Sequence, residues 1–319
     1  MEESNEQDPK PSTLRWKILR QALLSHPQQS DNKSQSQEII NRISRKGKGN
    51  QTFDLIPCHL HHLPTTNSLS EYEGLLSDVC YCYSLPTSNS ARNLFVFQRG
   101  GNRASISDFE ICNKHDIDNT GLVCPWPSEE VLSYYCLSHA DMFRSKTIIE
   151  LGAGYGLAGL VVAAVSEASE VVISDGNPQV VEYIQRSIGA NPGAFGNTIV
   201  KPKLLHWNDE EIMTLSNKFD FIIASDCTFF KEFHKGLVQT VKSLLKDSGP
   251  SEAIFFSPKR GDSLNKFLEE VRESGLHCCI TEQYEERVWK RHQEFMKGDQ
   301  SWSSYEADHC YPLLLKISR

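Results

Sequence analysis

The run that most constrains this 319-residue chain lies near its middle. There Thr147-Ile148-Ile149-Glu150-Leu151 passes directly into Gly152-Ala153-Gly154-Tyr155-Gly156 and then into the apolar stretch 157–164. A short apolar run bounded by glycines reads as a buried strand, and the longer Leu/Ala/Val run after it as a helix. Glycines at such a junction let backbone approach a ligand closely, and a helix N-terminus offers unpaired N–H groups. A second apolar run, Val171-Val172-Ile173-Ser174, stops at Asp175. Open α/β sheets bind ligands beyond the carboxyl ends of their strands, where an acid in this position reaches ribose hydroxyls. Read one way, Gly154-Tyr155-Gly156-Leu157-Ala158-Gly159 is a nominal G-x-G-x-x-G dinucleotide loop. The tight turn already begins at Gly152, however, which favours the register E-L-G-x-G-x-G over residues 150–156.

Around this motif, apolar runs alternate with helical stretches at 147–151, 171–174, 219–225, 253–257, 277–281 and 311–317, with Leu204-Leu205 as a weaker seventh. That alternation implies an α/β fold with a mostly parallel seven-strand sheet covered on both faces. The last two runs, separated by a helix-like stretch at 285–297, suit an antiparallel pair at one edge. Ser128 is the expected N-cap of a helix through Leu132 and Cys136, with Glu129 and Glu130 favourable in its first turn. Upstream, residues 51–120 read as a small β-rich region, with runs such as Leu94-Phe95-Val96-Phe97 between turn signals. Residues 1–50 read as largely disordered, apart from a short basic amphipathic helix at 14–24. That helix suits docking over the core better than binding a partner. The catalytic domain is expected to span 121–319.

Composition narrows the function. The net charge of −8 argues against a broad nucleic-acid surface. No run reaches the roughly 18–20 apolar residues of a membrane helix, and the N-terminus lacks a secretory pattern. Ten scattered cysteines without a Cys-x-x-Cys pair read as reduced thiols of an intracellular protein. Cys58-His59-Leu60-His61-His62, with Cys80 and Cys82, lacks the paired spacing of a structural zinc site, so no metal is expected. A monomer that binds neither nucleic acid nor membrane is the expectation.

Further motifs carry a family resemblance. The register Glu150–Gly156 resembles the first motif of class I methyltransferases, in which a strand-end Glu is typical. Phe219-Asp220-Phe221-Ile222-Ile223-Ala224-Ser225-Asp226-Cys227-Thr228-Phe229 resembles the D-x-x-Y/F motif of the seven-strand protein-lysine methyltransferases. Two rival signatures are absent: the Pro-Pro-aromatic element of enzymes acting on adenine N6 or glutamine amides, and the paired-glutamate loop of arginine methyltransferases. Gly121-Leu122-Val123-Cys124-Pro125-Trp126-Pro127-Ser128-Glu129-Glu130 and Leu205-His206-Trp207-Asn208 are similar to that family's two tryptophan segments. Arg15–Gln21, Asp118–Gly121, Ser174-Asp175-Gly176-Asn177, Pro258-Lys259-Arg260-Gly261 and Tyr311-Pro312-Leu313-Leu314-Leu315 resemble the branch of it that acts on calmodulin.

The resemblance implies S-adenosylmethionine as cofactor, a lysine ε-amino group of calmodulin as acceptor, and a cytoplasmic or nuclear setting. It also implies a site. Trp126, Glu150, Gly152, Ala153, Gly154, Asp175, Asn177, Trp207 and Ser225 are the expected cofactor contacts. Asp226 is expected to orient the acceptor amine, with Phe229 and Trp126 walling its channel. Lys231, Lys235, Lys259, Arg260, Lys266, Arg287, Lys290 and Arg291 are candidates for a basic patch that meets an acidic substrate. A methyltransferase of another protein lysine, an NAD-dependent oxidoreductase and a non-catalytic calmodulin-binding scaffold are the competing readings.

Overall fold

A computed structural model describes residues 51–61, 78–86, 91–100, 106–115, 117–207 and 211–319. The helix expected over 14–24 lies outside the described residues. A small antiparallel sheet comes first, built from β1 (Cys58–His61), β2 (Val79–Pro86) and β3 (Ala91–Gln98) in that order. A helix not foreseen in the β-rich region follows, α1 (Ile106–His115), where Asp108 in its first turn is buried against Arg99 at 2.6 Å.

Then comes the main sheet. Its strands are β4 (Thr147–Leu151), β5 (Glu170–Asp175), β6 (Ile199–Leu204), β7 (Phe221–Ser225), β8 (Glu252–Ser257), β9 (His277–Thr281) and β10 (Leu313–Ser318). They lie in the order β6-β5-β4-β7-β8-β10-β9. The first five are parallel, and β10 runs antiparallel to both β8 and β9. The antiparallel pair expected at one edge is present, with β9 outermost. The weak strand expected at Leu204-Leu205 is instead β6, ending at Leu204. Its Pro202, Lys201 and Lys203 hide the strand from an apolar-run search, because as an edge strand it stays half exposed.

Consecutive buried residues in β4, from Ile148 to Leu151, show that both faces of the sheet's centre are covered. Helices α2 (Pro127–Ser138), α3 (Leu157–Val165) and α4 (Pro178–Gly189) pack on strands β4 to β8. α3 has eight of nine residues buried, so it is a core helix and not an amphipathic one. Helices α5 (His234–Leu244) and α6 (Ser263–Glu273) pack side by side, and α7 (Glu286–Met296) precedes the final strand. The small sheet docks on α4. Asn191, just past that helix, accepts the Phe95 N–H at 2.9 Å and donates to the Phe95 carbonyl at 2.7 Å, while Ser187 accepts the Phe97 N–H at 2.9 Å. These side chains occupy the polar groups that edge strand β3 would otherwise leave open. No helix among the described residues is long and apolar enough to cross a membrane.

The start of α2 departs from the expected capping. Trp126 is the N-cap, Pro127 takes the first helical position, and Ser128 sits inside the first turn. Buried Glu130 accepts the backbone N–H groups of Phe53 at 3.1 Å and Leu55 at 2.9 Å. Glu130→Ala leaves both donors buried without this acceptor and is expected to cost about 3 kcal/mol. Urea unfolding checks this, and an unchanged midpoint would show that the 51–56 segment is held by other contacts.

Candidate active site

The chain turns back on itself between β4 and β7: β5 and β6 are laid down to one side, β7 and β8 to the other. At this switch point the carboxyl ends of β4, β5 and β7 open onto a cavity of about 490 Å³. Gly152, Asp175, Gly176, Asn177, Trp207, Ser225, Asp226, Phe229 and Trp126 line it, together with Leu205, Cys227, Phe230, Phe233 and Arg260.

One end is built by the glycine loop. Gly152, Gly154 and Gly156 all have left-handed φ, of 58°, 53° and 76°. The loop is clamped to β5 by two bonds, Ala153 N–H to the Ser174 carbonyl at 2.9 Å and Gly154 N–H to Asp175 at 2.9 Å. The other Asp175 oxygen accepts the Asn177 N–H at 2.8 Å. Removal from bulk water pushes the Asp175 carboxyl up to about 6 despite these donors. Asn177 caps α4 through its side-chain oxygen at 3.0 Å, and its amide nitrogen is buried with no hydrogen-bond partner. A side chain on Gly152 would come within 2.7 Å of the Cys227 sulfur and 3.1 Å of the Trp207 ring, so those groups lie directly across the loop. A carboxylate in the cavity wall, an unspent amide and a neighbouring indole make a set that fits an adenosine carrying a free ribose diol.

Three expected contacts are not cavity walls. Ala153 and Gly154 shape the loop from behind. Glu150 lies fully buried beneath it, accepting the Gly159 N–H at 2.8 Å. Burial, with the charge of nearby Glu129, lifts Glu150 well above the usual carboxylate range. Gly159 has no room for a Cβ, which would meet Glu150 at 2.6 Å and Ile173 at 2.7 Å. The third glycine of the nominal dinucleotide register is therefore a packing requirement.

The other end centres on Asp226, held at a left-handed φ of 60° by its N–H bond to the Phe256 carbonyl at 2.9 Å. The loop after it is pinned from below: His234 and Ser263 bond the Thr228 carbonyl at 2.8 and 2.6 Å. Ser128 donates to Asp226 at 3.2 Å. Arg260 closes the arrangement. Its two terminal nitrogens reach the two Asp226 oxygens at 2.6 and 2.7 Å, and both side chains are nearly inaccessible, at 3% and 4% exposure. Burial raises the Asp226 carboxyl, while Arg260 and Ser128 act in the opposite direction. The guanidinium also lies over the Trp126 ring at 4.5 Å and the Phe229 ring at 5.0 Å.

Arg260 was expected in an exposed patch, and it is instead a buried wall of the cavity. The rest of that patch is largely compensated. Lys231 and Lys266 both pair with Asp262, Arg287 donates to the Asp54 carbonyl, and Arg291 is held by Phe53 and Glu294. Lys235, Lys259 and Lys290 keep exposed charges with no ion pair among the described residues. Cys227, Phe230 and Phe233 also went unforeseen as walls. Their signal was position, since Cys227 and Phe230 follow the β7 strand end within five residues and Phe233 lies one turn further on.

This sheet order, with a glycine loop after the first parallel strand and an acid after the second, is the class I methyltransferase architecture. Comparison with known proteins is specific. A family profile described as lysine methyltransferase matches residues 110–274. A calmodulin-lysine N-methyltransferase from Arabidopsis thaliana is 56% identical over 307 residues, covering 96% of each chain. A protein-lysine N-methyltransferase from Mus musculus, EEF2KMT, is 26% identical and covers 56% of each chain. Another from the same organism, METTL21E, is 29% identical over 46% of this chain and 61% of its own length. The chain belongs to the lysine methyltransferase family.

Gly152→Ala tests the crowding over the loop. The added Cβ meets Cys227 and Trp207 in a backbone conformation that disfavours it, so a loss of about 1–3 kcal/mol is expected. Denaturant unfolding measures it, and unaltered stability would mean that Trp207 moves freely.

Proposed function

We propose that this chain transfers methyl groups from S-adenosylmethionine to a lysine ε-amino group of calmodulin. Likeness across nearly its whole length to the Arabidopsis calmodulin-lysine N-methyltransferase carries the choice of substrate. A cavity with Asp175 at one end and Asp226 among aromatic rings at the other supports the reaction.

Bound at the glycine loop, S-adenosylmethionine supplies an electrophilic methyl group on a sulfonium. Asp175, the Asn177 amide with its unpartnered N–H, and Trp207 are the residues that would hold it. Ser225 and Cys227 lie between the two ends. Asp226 is left to orient the amine through an N–H bond, and its loop, pinned by His234 and Ser263, supplies the rigidity that in-line displacement needs. All ten cysteines are free thiols, which suits a reducing compartment, cytoplasmic or nuclear.

Labelled S-adenosylmethionine with unmethylated calmodulin is the direct test, with lysine-free calmodulin as control. Label is expected only on the lysine-bearing protein. Cofactor binding without transfer would move the search to another lysine-bearing partner.

The acid at the cofactor end gives a pH signature. Ribose hydroxyls donate to an ionised carboxylate, so a bound cofactor favours the ionised form and binding below pH 6 must release a proton. With Asp175 at about 6, affinity is expected to fall about tenfold from pH 7 to pH 5. Titration by Trp fluorescence measures this. Asp175→Asn should bind weakly with a flat pH profile, and a pH-dependent Asp175→Asn would assign the effect to another group.

A further inference from the structure

The acceptor end poses a charge problem. A lysine arrives as an ammonium, with an ordinary pKa of about 10.4, and must lose a proton before its lone pair can attack. A lone buried carboxylate would hold that ammonium charged. Asp226, however, already has two guanidinium bonds and one hydroxyl bond. Its partner cannot lose its own charge at any working pH. Trp126 and Phe229 fix the guanidinium from the sides, and the turn at Arg260 is fixed by its N–H bond to the Asp308 carbonyl at 2.8 Å.

From this geometry we propose that Arg260 is a positioning residue that neutralises Asp226, the buried carboxylate at the acceptor end, so that lysine is held there as the neutral amine. Exposed Glu232, and Asp118 and Asp175 towards the cofactor, are the other carboxylates of the lining. The inference rests on the lysine-methylation reading and goes beyond it by naming the group that sets the amine's protonation state. With the carboxylate's charge cancelled by the guanidinium, loss of water in the cavity lowers the pKa of the substrate nitrogen. The proton passes from the ammonium to bulk water on entry, leaving R–NH2, so the cavity needs no general base. The amine then keeps one N–H for Asp226 and aims its lone pair at the methyl carbon. As the N–C bond forms, the C–S bond breaks, its electron pair stays on sulfur, and the positive charge moves to nitrogen. The methylated ammonium then meets no uncompensated carboxylate beside it, which favours its release or the loss of a proton to water before another transfer.

The test is the pH profile of kcat under saturating cofactor and substrate, which reports groups in the bound complex. In Arg260→Met an uncompensated Asp226 favours the ammonium. The acid limb is expected to move up by about 1–3 pH units. Activity should fall at pH 7 and recover towards the wild-type level above pH 9. Arg260→Lys should keep the limb near its wild-type position, since it restores the charge. Asp226→Asn, with the guanidinium uncompensated, should move the limb the opposite way, to lower pH, even as orientation is lost and kcat drops. S-adenosylmethionine binding confirms that each variant is folded, and if Arg260→Met does not fold, the downward shift in Asp226→Asn decides. Limbs that stay in place while kcat falls equally at every pH would overturn the proposal and leave Arg260 a structural filler. Wild-type protein that methylates no lysine would instead overturn the functional reading itself.

Discussion

The first turn of α2 holds the molecule together. Three consecutive polar residues there are all buried, and each reaches a different part of the fold. Ser128 bonds Asp226 at the acceptor end. Glu129 accepts the N–H of Leu157 at 3.1 Å, taking up one of the open donors where α3 begins behind the glycine loop. Glu130 gathers the 51–55 backbone. Burying carboxylates is costly unless such donors meet them. Here the donors are backbone N–H groups that also need acceptors, so one turn of helix satisfies the loop, the acid and the N-terminal segment together. Trp126, at the cap of this turn, adds its ring to the Arg260 stack.

The two ends of the cavity are therefore built differently. The cofactor end is backbone-made. Its shape comes from left-handed glycines clamped on β5, and Asp175 is placed there by N–H donors from the loop and from the start of α4, with Asp118 also in the lining. The acceptor end is side-chain-made. An ion pair is sandwiched between rings and braced by a serine. A planar guanidinium serves this geometry better than an ammonium, because it meets both carboxylate oxygens at once and stacks on two aromatic faces. The pair leaves the region with no net charge, in contrast to Asp175.

Much of this was legible in the sequence, for physical reasons that also explain the gaps. The strand, glycine loop, helix and acid are contiguous, so their periodicity and backbone demands show in local residue types. Asp175, Gly152, Trp207 and Asp226 could be placed for that reason. β6 was misread because an edge strand carries Pro202 and lysines, and need not be apolar. Arg260 was misplaced because burial of a charge depends on a partner 34 residues away. Its neighbours Pro258, Lys259 and Gly261 look like any surface turn. Ser128 was assigned to capping on the helix-start pattern, yet Pro127 had already fixed the first helical position, and the hydroxyl was free for tertiary use.

Charge also limits how a substrate finds this site. Residues 1–50 carry nine Lys/Arg against six Asp/Glu, and the remainder 24 against 35. Residues 51–319 thus have an acidic balance that works against long-range attraction of an acidic protein. Of the eight cations expected to offset it, one is buried on Asp226 and four are held by carboxylates or carbonyls. At physiological salt, fields decay over about 8 Å, so the three lysines without an ion pair among the described residues act only near contact. Under the proposed activity, recognition of an acidic protein would then rest on contact at the cavity itself, whose lining includes Phe230, Phe233 and exposed Glu232. Once the lysine is inside, the neutral acceptor end gives its charge nothing to hold.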